Sequence, residues 1–123
     1  MTEEQQRQEN RSFRPRLLIK QVIGRLLLDS VKGPHPFELA PAEDGWRITV
    51  HAVERGSADE IIRLGHDLNF FYFEEPADNR IPIRKWWLYD KRQPLLSYNE
   101  AERLLSIEVD TRTAYSNDKA TSG

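Results

Sequence analysis

The sequence predicts an α+β fold: an N-terminal helix packed on a three- to four-stranded antiparallel sheet, a short C-terminal helix, and disordered tails. Three observations predict it. After the Asp44-Gly45 turn, Trp46, Ile48, Val50 and Ala52 alternate with Arg47, Thr49, His51 and Val53, the period of two that a half-buried strand requires. Leu18, Ile19, Val22, Ile23, Leu26 and Leu27 fall on one side of a helical wheel. Two aromatic-rich stretches follow, separated by short polar connections, and short connections favour antiparallel neighbours.

Taken in order, residues 1–13 are polar and charged apart from Phe13 and bury too little to offset their ordering entropy, so they read as a tail. Residues 16–31 read as the first helix, with Pro15 in its first turn and Lys32-Gly33-Pro34 ending it. Leu17, Leu28 and Val31 form a second stripe on this helix, and Gly24 between them would let another helix approach. Phe37-Glu38-Leu39 can add an edge strand within a proline-punctuated loop. Gly45 suits the turn before the Trp46 strand through its tolerance of positive φ. The aromatic density of Leu68 to Phe73 predicts a strand, with Gly65 at its bend. A helix over residues 58–68, capped by Ser57, is the competing reading of its first part.

Residues 81–91 form the next strand, with Ile83, Trp87 and Tyr89 on one side and Arg84, Trp86 and Leu88 on the other. Ser97-Tyr98-Asn99-Glu100 has the capping-box pattern ahead of Ala101, Leu104, Leu105 and Val109, which predicts the C-terminal helix. Residues 110–123 are polar again and read as a tail. The domain is expected to span residues 14–109.

The 123-residue chain has no cysteine, which excludes disulfides, thiolate metal sites and cysteine nucleophiles and fits a reducing cytoplasm. No apolar run approaches the roughly 18 residues of a membrane span, and the first ten residues lack the apolar stretch of a signal peptide. The net charge of -2 conceals segregation. Residues 14–32 are basic, residues 38–75 hold nine acids against Arg47, Arg55 and Arg63, and residues 80–92 are basic again.

No catalytic motif stands alone. His35, His51 and His66 lie on separate elements, His66 and Asp67 point to opposite faces of a strand, and no metal-binding spacing occurs, so neither enzyme nor cofactor is expected. A small pocket using His51 or His66 is the enzymatic alternative. Apolar surface in excess of a small core points instead to binding. The candidate contact residues are Phe71, Phe73, Trp86 and Leu88 with Arg84 on the sheet, and Leu17, Gly24 and Leu28 on the helix. Trp87 is expected in the core and Trp86 on the open face. The mixture of cations and aromatics in residues 84–92 also has the composition of a stacking platform for single-stranded nucleic acid, although a sequence pI of about 5.9 argues against a dedicated one.

The order of elements, with Asp44-Gly45-Trp46-Arg47-Ile48-Thr49-Val50, Val53-Glu54, the acidic-ended segment from Asp59 to Glu75 and the basic-aromatic segment from Arg84 to Arg92, resembles the gas vesicle protein O family over roughly residues 17–92. This chain departs from the family pattern at the aromatic stretch from Leu68 to Phe73, at Trp86-Trp87 and in the Ser97 helix. The resemblance implies a cytoplasmic, non-enzymatic accessory protein of gas vesicle assembly, with other gas vesicle proteins as partners. A homo-oligomer is compatible with the sequence, and a membrane partner is not expected.

Overall fold

The computed structural model describes residues 13–115. These hold strands β1 (Phe13–Gln21), β2 (Leu26–Asp29), β3 (Phe37–Ala42) and β4 (Gly45–Val50), then helix α1 (Arg55–Arg63) and a 3-10 turn (Gly65–Asp67). β5 (Leu68–Pro76), β6 (Arg84–Tyr89), β7 (Leu95–Asn99), β8 (Leu104–Val109) and β9 (Thr111–Tyr115) complete them. The strands form a five-stranded sheet of order β2-β1-β5-β6-β9 and a four-stranded sheet of order β3-β4-β8-β7. Every pairing is antiparallel. The expected α+β fold is therefore replaced by a mostly β architecture, two sheets face to face. The expected antiparallel pairing is present.

The first correction concerns residues 16–31, which form a hairpin and not a helix. Leu17 and Ile19 point into the core while Leu18 and Lys20 point out. A strand apolar on both faces presents adjacent apolar residues, and the sequence then satisfies a helical wheel as well as a strand. Gly24 adopts φ +104° in the hairpin turn and donates its N–H to the Gln21 carbonyl at 2.7 Å. Its role is this left-handed conformation, since nothing lies within 4 Å of where its Cβ would be. Pro15 sits in β1 beyond the last residue paired with β2, so its missing N–H leaves no ladder bond unmade on that side.

The second correction concerns residues 97–109. β7 and β8 form a hairpin there, with Leu105, Ile107 and Val109 alternating inward. Ser97 to Asn99 of the capping-box pattern end β7, and the turn follows: Asn99 Oδ1 accepts the Glu102 N–H at 3.2 Å, and Arg103 takes φ 53°. An Asx side chain that caps a helix caps a turn equally well. The one α-helix among the described residues overlaps the first half of the competing reading over residues 58–68, and residues 65–68 leave it for the 3-10 turn and β5. It starts at Glu54 with no side-chain cap, not at Ser57, and buries Ala58 and Ile61. Salt bridges from Arg25 to Glu60 at 3.2 Å and from Arg55 to Glu100 at 2.9 Å tie it to the β1–β2 and β7–β8 turns, so it closes one end of the sandwich.

Trp46, Ile48 and Val50 face the core as expected, and β3 takes the edge position anticipated for Phe37 to Leu39. Gly45 is not in the positive-φ region. A Cβ there would collide with the Val109 carbonyl and the Asp110 Cα, so close backbone approach is what demands glycine. β9 occupies residues expected to be tail, and Phe13 already belongs to β1. The rest of the expected N-terminal tail and residues 116–123 lie outside the described residues. The core joins both sheets in one cluster: Leu17, Ile19, Phe70 and Leu88 from the larger, Ile48, Val50, Leu105 and Ile107 from the smaller, all buried. Burial contributes roughly 1.5–3 kcal/mol for each such side chain.

Trp86 and Leu88 belong to this inner layer, and Trp87 is 37% exposed on the outside, which reverses the expected faces of β6. Trp86→Ala is accordingly expected to cost about 3 kcal/mol in urea denaturation, and Trp87→Ala about 1 kcal/mol or less. Gly45→Ala should lower stability by about 1–3 kcal/mol through overpacking at the β3–β4 turn, measurable in the same assay.

Candidate functional site

Alternation along β1, β5 and β6 assigns their inner residues to the core and leaves the intervening ones on the outer face of the five-stranded sheet. The ladder fixes which of these are neighbours. Leu18, Phe71, Trp87 and Thr113 form one cross-strand row, and Arg16, Phe73 and Lys85 form the next. Lys20 stands opposite Asn69. Phe71, Phe73 and Tyr89 are half-buried. The Trp87 and Tyr89 rings lie 4.3 Å apart at 32°. Trp87 Nε1 donates to Asn69 Oδ1 at 3.1 Å, which satisfies the polar end of the indole and pins its ring.

The charge on this face is uneven. Arg14, Arg16, Lys20 and Lys85 accompany two carboxylates, Asp29 and Glu75. Asp29 is buried and accepts from Arg16 Nε at 3.1 Å, from the second guanidinium nitrogen at 2.6 Å, and from the Val31 N–H at 3.1 Å. The Arg16 hydrogen bonds hold the Asp29 carboxyl below its ordinary range against the opposing effect of burial, and the same pair raises the Arg16 guanidinium. Arg14 and Arg16 reach Glu75 only at 3.8 and 3.9 Å, and Glu75 Oε1, shielded from solvent, has no hydrogen-bond partner among the described residues.

The outer face of the four-stranded sheet is different in kind. It shows Glu38, Ala40, Arg47, Thr49, Ser97, Ser106 and Glu108, with Leu95 exposed and Leu104 half-buried as its larger aliphatic residues. Arg47 and Glu108 pair across it at 3.5 Å. This is an ordinary solvated sheet face.

Among the residues expected to make contacts, Phe71 and Phe73 lie on the outer face of the larger sheet. Leu17, Leu28 and Leu88 are core residues, and Gly24 is a turn residue, so these four are removed from the candidate surface. Arg84 and Trp86 lie on the inner side at the open end of the sandwich. There the Trp86 ring meets Tyr72 at 5.3 Å and the guanidinium groups of Arg84 and Arg112 at 5.4 and 4.6 Å. Sequence reasoning missed Leu18, Asn69, Trp87 and Tyr89. The available signal was Leu88: leucine is more often fully buried than tryptophan, so its side of β6 is the core side.

The histidines do not converge. His51 Nε2 lies 2.8 Å from the Glu38 carboxylate at the surface, His35 Nδ1 lies 3.2 Å from the His51 carbonyl oxygen, and His66 is exposed on another element. Glu43, Asp44, Asp90, Glu108 and Asp110 help line a cavity of about 200 Å³ at the β3–β4 turn. Two of these serve the backbone: Asp90 accepts the N–H groups of Arg92 and Gln93, and Asp110 that of Lys91. Among the described residues no group of three or more His, Cys, Asp or Glu side chains could hold a metal ion. No helix among them is long and apolar enough to cross a membrane.

The chain matches no family model, no curated protein and no solved structure.

Because the folded Asp29 carboxyl titrates below its ordinary value of 3.8, the stability that this group contributes is complete at neutral pH. It is lost as the pH falls from the ordinary carboxylate range through the folded value. Asp29→Asn is expected to cost about 1–3 kcal/mol at neutral pH, with the difference from wild type shrinking in acid. Denaturant melts across that range check both the size and the sign.

Proposed function

We propose that the protein is a non-enzymatic binding module whose contact surface is the outer face of the five-stranded sheet. The observation that carries this reading is the contrast between the two outer faces. One carries no Phe, Tyr or Trp ring and has the aliphatic side chains of Ala40, Leu95 and Leu104 among mostly polar residues, and the other displays Leu18, Phe71, Phe73, Trp87 and Tyr89 in adjacent cross-strand positions. Half-exposed rings gathered on one face, with cations at their margin, are what contact surfaces use as anchors. Asn69 and the Trp87–Tyr89 stack hold the rings in place before any partner arrives, which lowers the ordering cost of binding.

An accessory role in gas vesicle assembly is a separate proposal that rests on the Asp44-Gly45-Trp46-Arg47 likeness. That motif lies on β4 in the other sheet, so it supports a setting and not the position of the contact surface. Co-purification with gas vesicle proteins is its test. A chain without cysteine supports a cytoplasmic setting.

The binding-face reading is tested by placing charge on each side of the sandwich. Phe71→Glu with Trp87→Glu should abolish retention of partner macromolecules from cell extract by the immobilised protein, with the thermal melt little changed. Arg47→Glu on the opposite face should retain them. Equal retention by both variants refutes the assignment of the face.

A further inference from the structure

We infer that the ligand of this face is single-stranded nucleic acid, an inference that rests on the outer face being the contact surface. Three observations select this partner. First, the face carries a net positive charge on a chain whose total is -2: Arg14, Arg16, Lys20 and Lys85 against Asp29 and Glu75. The opposite face holds Glu38 and Glu108 against Arg47. An anionic polymer is therefore attracted to one side of the molecule and repelled from the other. A second copy of this chain, laid face to face, would oppose like charges.

Second, cations flank the rings. In the ladder Phe73 lies between Arg16 and Lys85, and the adjoining row is Leu18, Phe71 and Trp87. A strand laid across β5 and β6 would cross the Phe71, Phe73, Trp87 and Tyr89 rings, with Lys20 and Lys85 on neighbouring ladder positions. Stacking is sequence-tolerant because every base has a π-face. An acidic peptide would satisfy the charge and leave the rings without planar partners.

Third, the rings are fixed. Trp87 is held by Asn69 through its only polar atom and braced by Tyr89, so what it offers outward is its aromatic surface and no hydrogen-bonding group. A face built this way reads bases by stacking and discriminates poorly between sequences.

The experiment titrates the full chain with a short oligothymidylate and a short oligouridylate at low ionic strength, following tryptophan fluorescence. Saturable quenching is expected, with affinity falling as salt rises at a log–log slope of roughly -0.7 per phosphate contacted. Trp87→Ala should weaken binding roughly five- to hundred-fold, the loss of one stacked base. Lys20→Gln should flatten the salt slope by about 0.7. Arg47→Glu, on the opposite face, should leave binding nearly intact, because its added negative charge is screened at that distance. Absence of saturable quenching by either oligonucleotide overturns the inference. So does binding that Trp87→Ala leaves unchanged, which would be charge attraction elsewhere on the surface. If oligonucleotides fail while the Phe71→Glu, Trp87→Glu variant loses a protein partner or a self-association seen in sedimentation, the face binds protein: the nucleic-acid inference falls and the binding-face reading stands. If that variant changes nothing in either assay, both fall.

Discussion

The structure depends on the contact between the inner faces of its two sheets. Phe70, Leu17, Ile19 and Leu88 on one side meet Ile48, Val50, Leu105 and Ile107 on the other, and all are removed from solvent. Neither sheet could be stable alone, because each would expose this layer. The requirement fixes the register of every strand in contact with it, since a slip of one residue would turn the whole inner set outward. The positions of the outer residues, including those of the candidate contact face, follow from that register.

The open end of the sandwich is sealed by a different interaction. β9 crosses from the end of β8 in the smaller sheet to pair with β6 in the larger, and carries Arg112 with it. The Arg112 guanidinium lies 4.7 Å from the Trp46 ring and 4.6 Å from the Trp86 ring, so one cation bridges an indole from each sheet. Tyr72 stacks on Trp86, and Phe37 meets Tyr72 edge-on at 5.9 Å and 80°. Burial, and then its hydrogen bond to Glu74 Oε2 at 2.9 Å, push the Tyr72 hydroxyl well above its ordinary value, so it remains a neutral donor. Each cation–π contact contributes roughly 0.5–2 kcal/mol according to its desolvation, which makes this cluster a clasp beside the aliphatic core.

With Trp46 and Trp86 committed to the clasp, Trp87 is the tryptophan left for the outside. Its neighbours there are two phenylalanines, a tyrosine and a leucine, and the margin is cationic. The same β6 strand thus serves the core through its even positions and places its odd ones on the outer face. The outer face of the smaller sheet, which carries no Phe, Tyr or Trp ring among the described residues, shows that the fold does not itself require aromatics outside.

The sequence by itself determined the local patterns: the Trp46 strand and its turn, the edge strand at Phe37, the alternation within β6 and the absence of cysteine chemistry. These are properties of neighbouring residues, and a period of two or a turn residue can be read without knowing what lies opposite. It did not determine whether residues 16–31 and 97–109 were helices or hairpins. There the apolar residues suit both periods, and the choice was made by partners remote in the chain: β5 for β1, and β4 for β8. Nor could it say which side of β6 faces inward, because both sides carry aromatic residues and only packing against the second sheet distinguishes them. Tertiary structure therefore decided the site as well as the fold, since Leu18, Phe71, Phe73, Trp87 and Tyr89 become one surface only when three strands pair in this register.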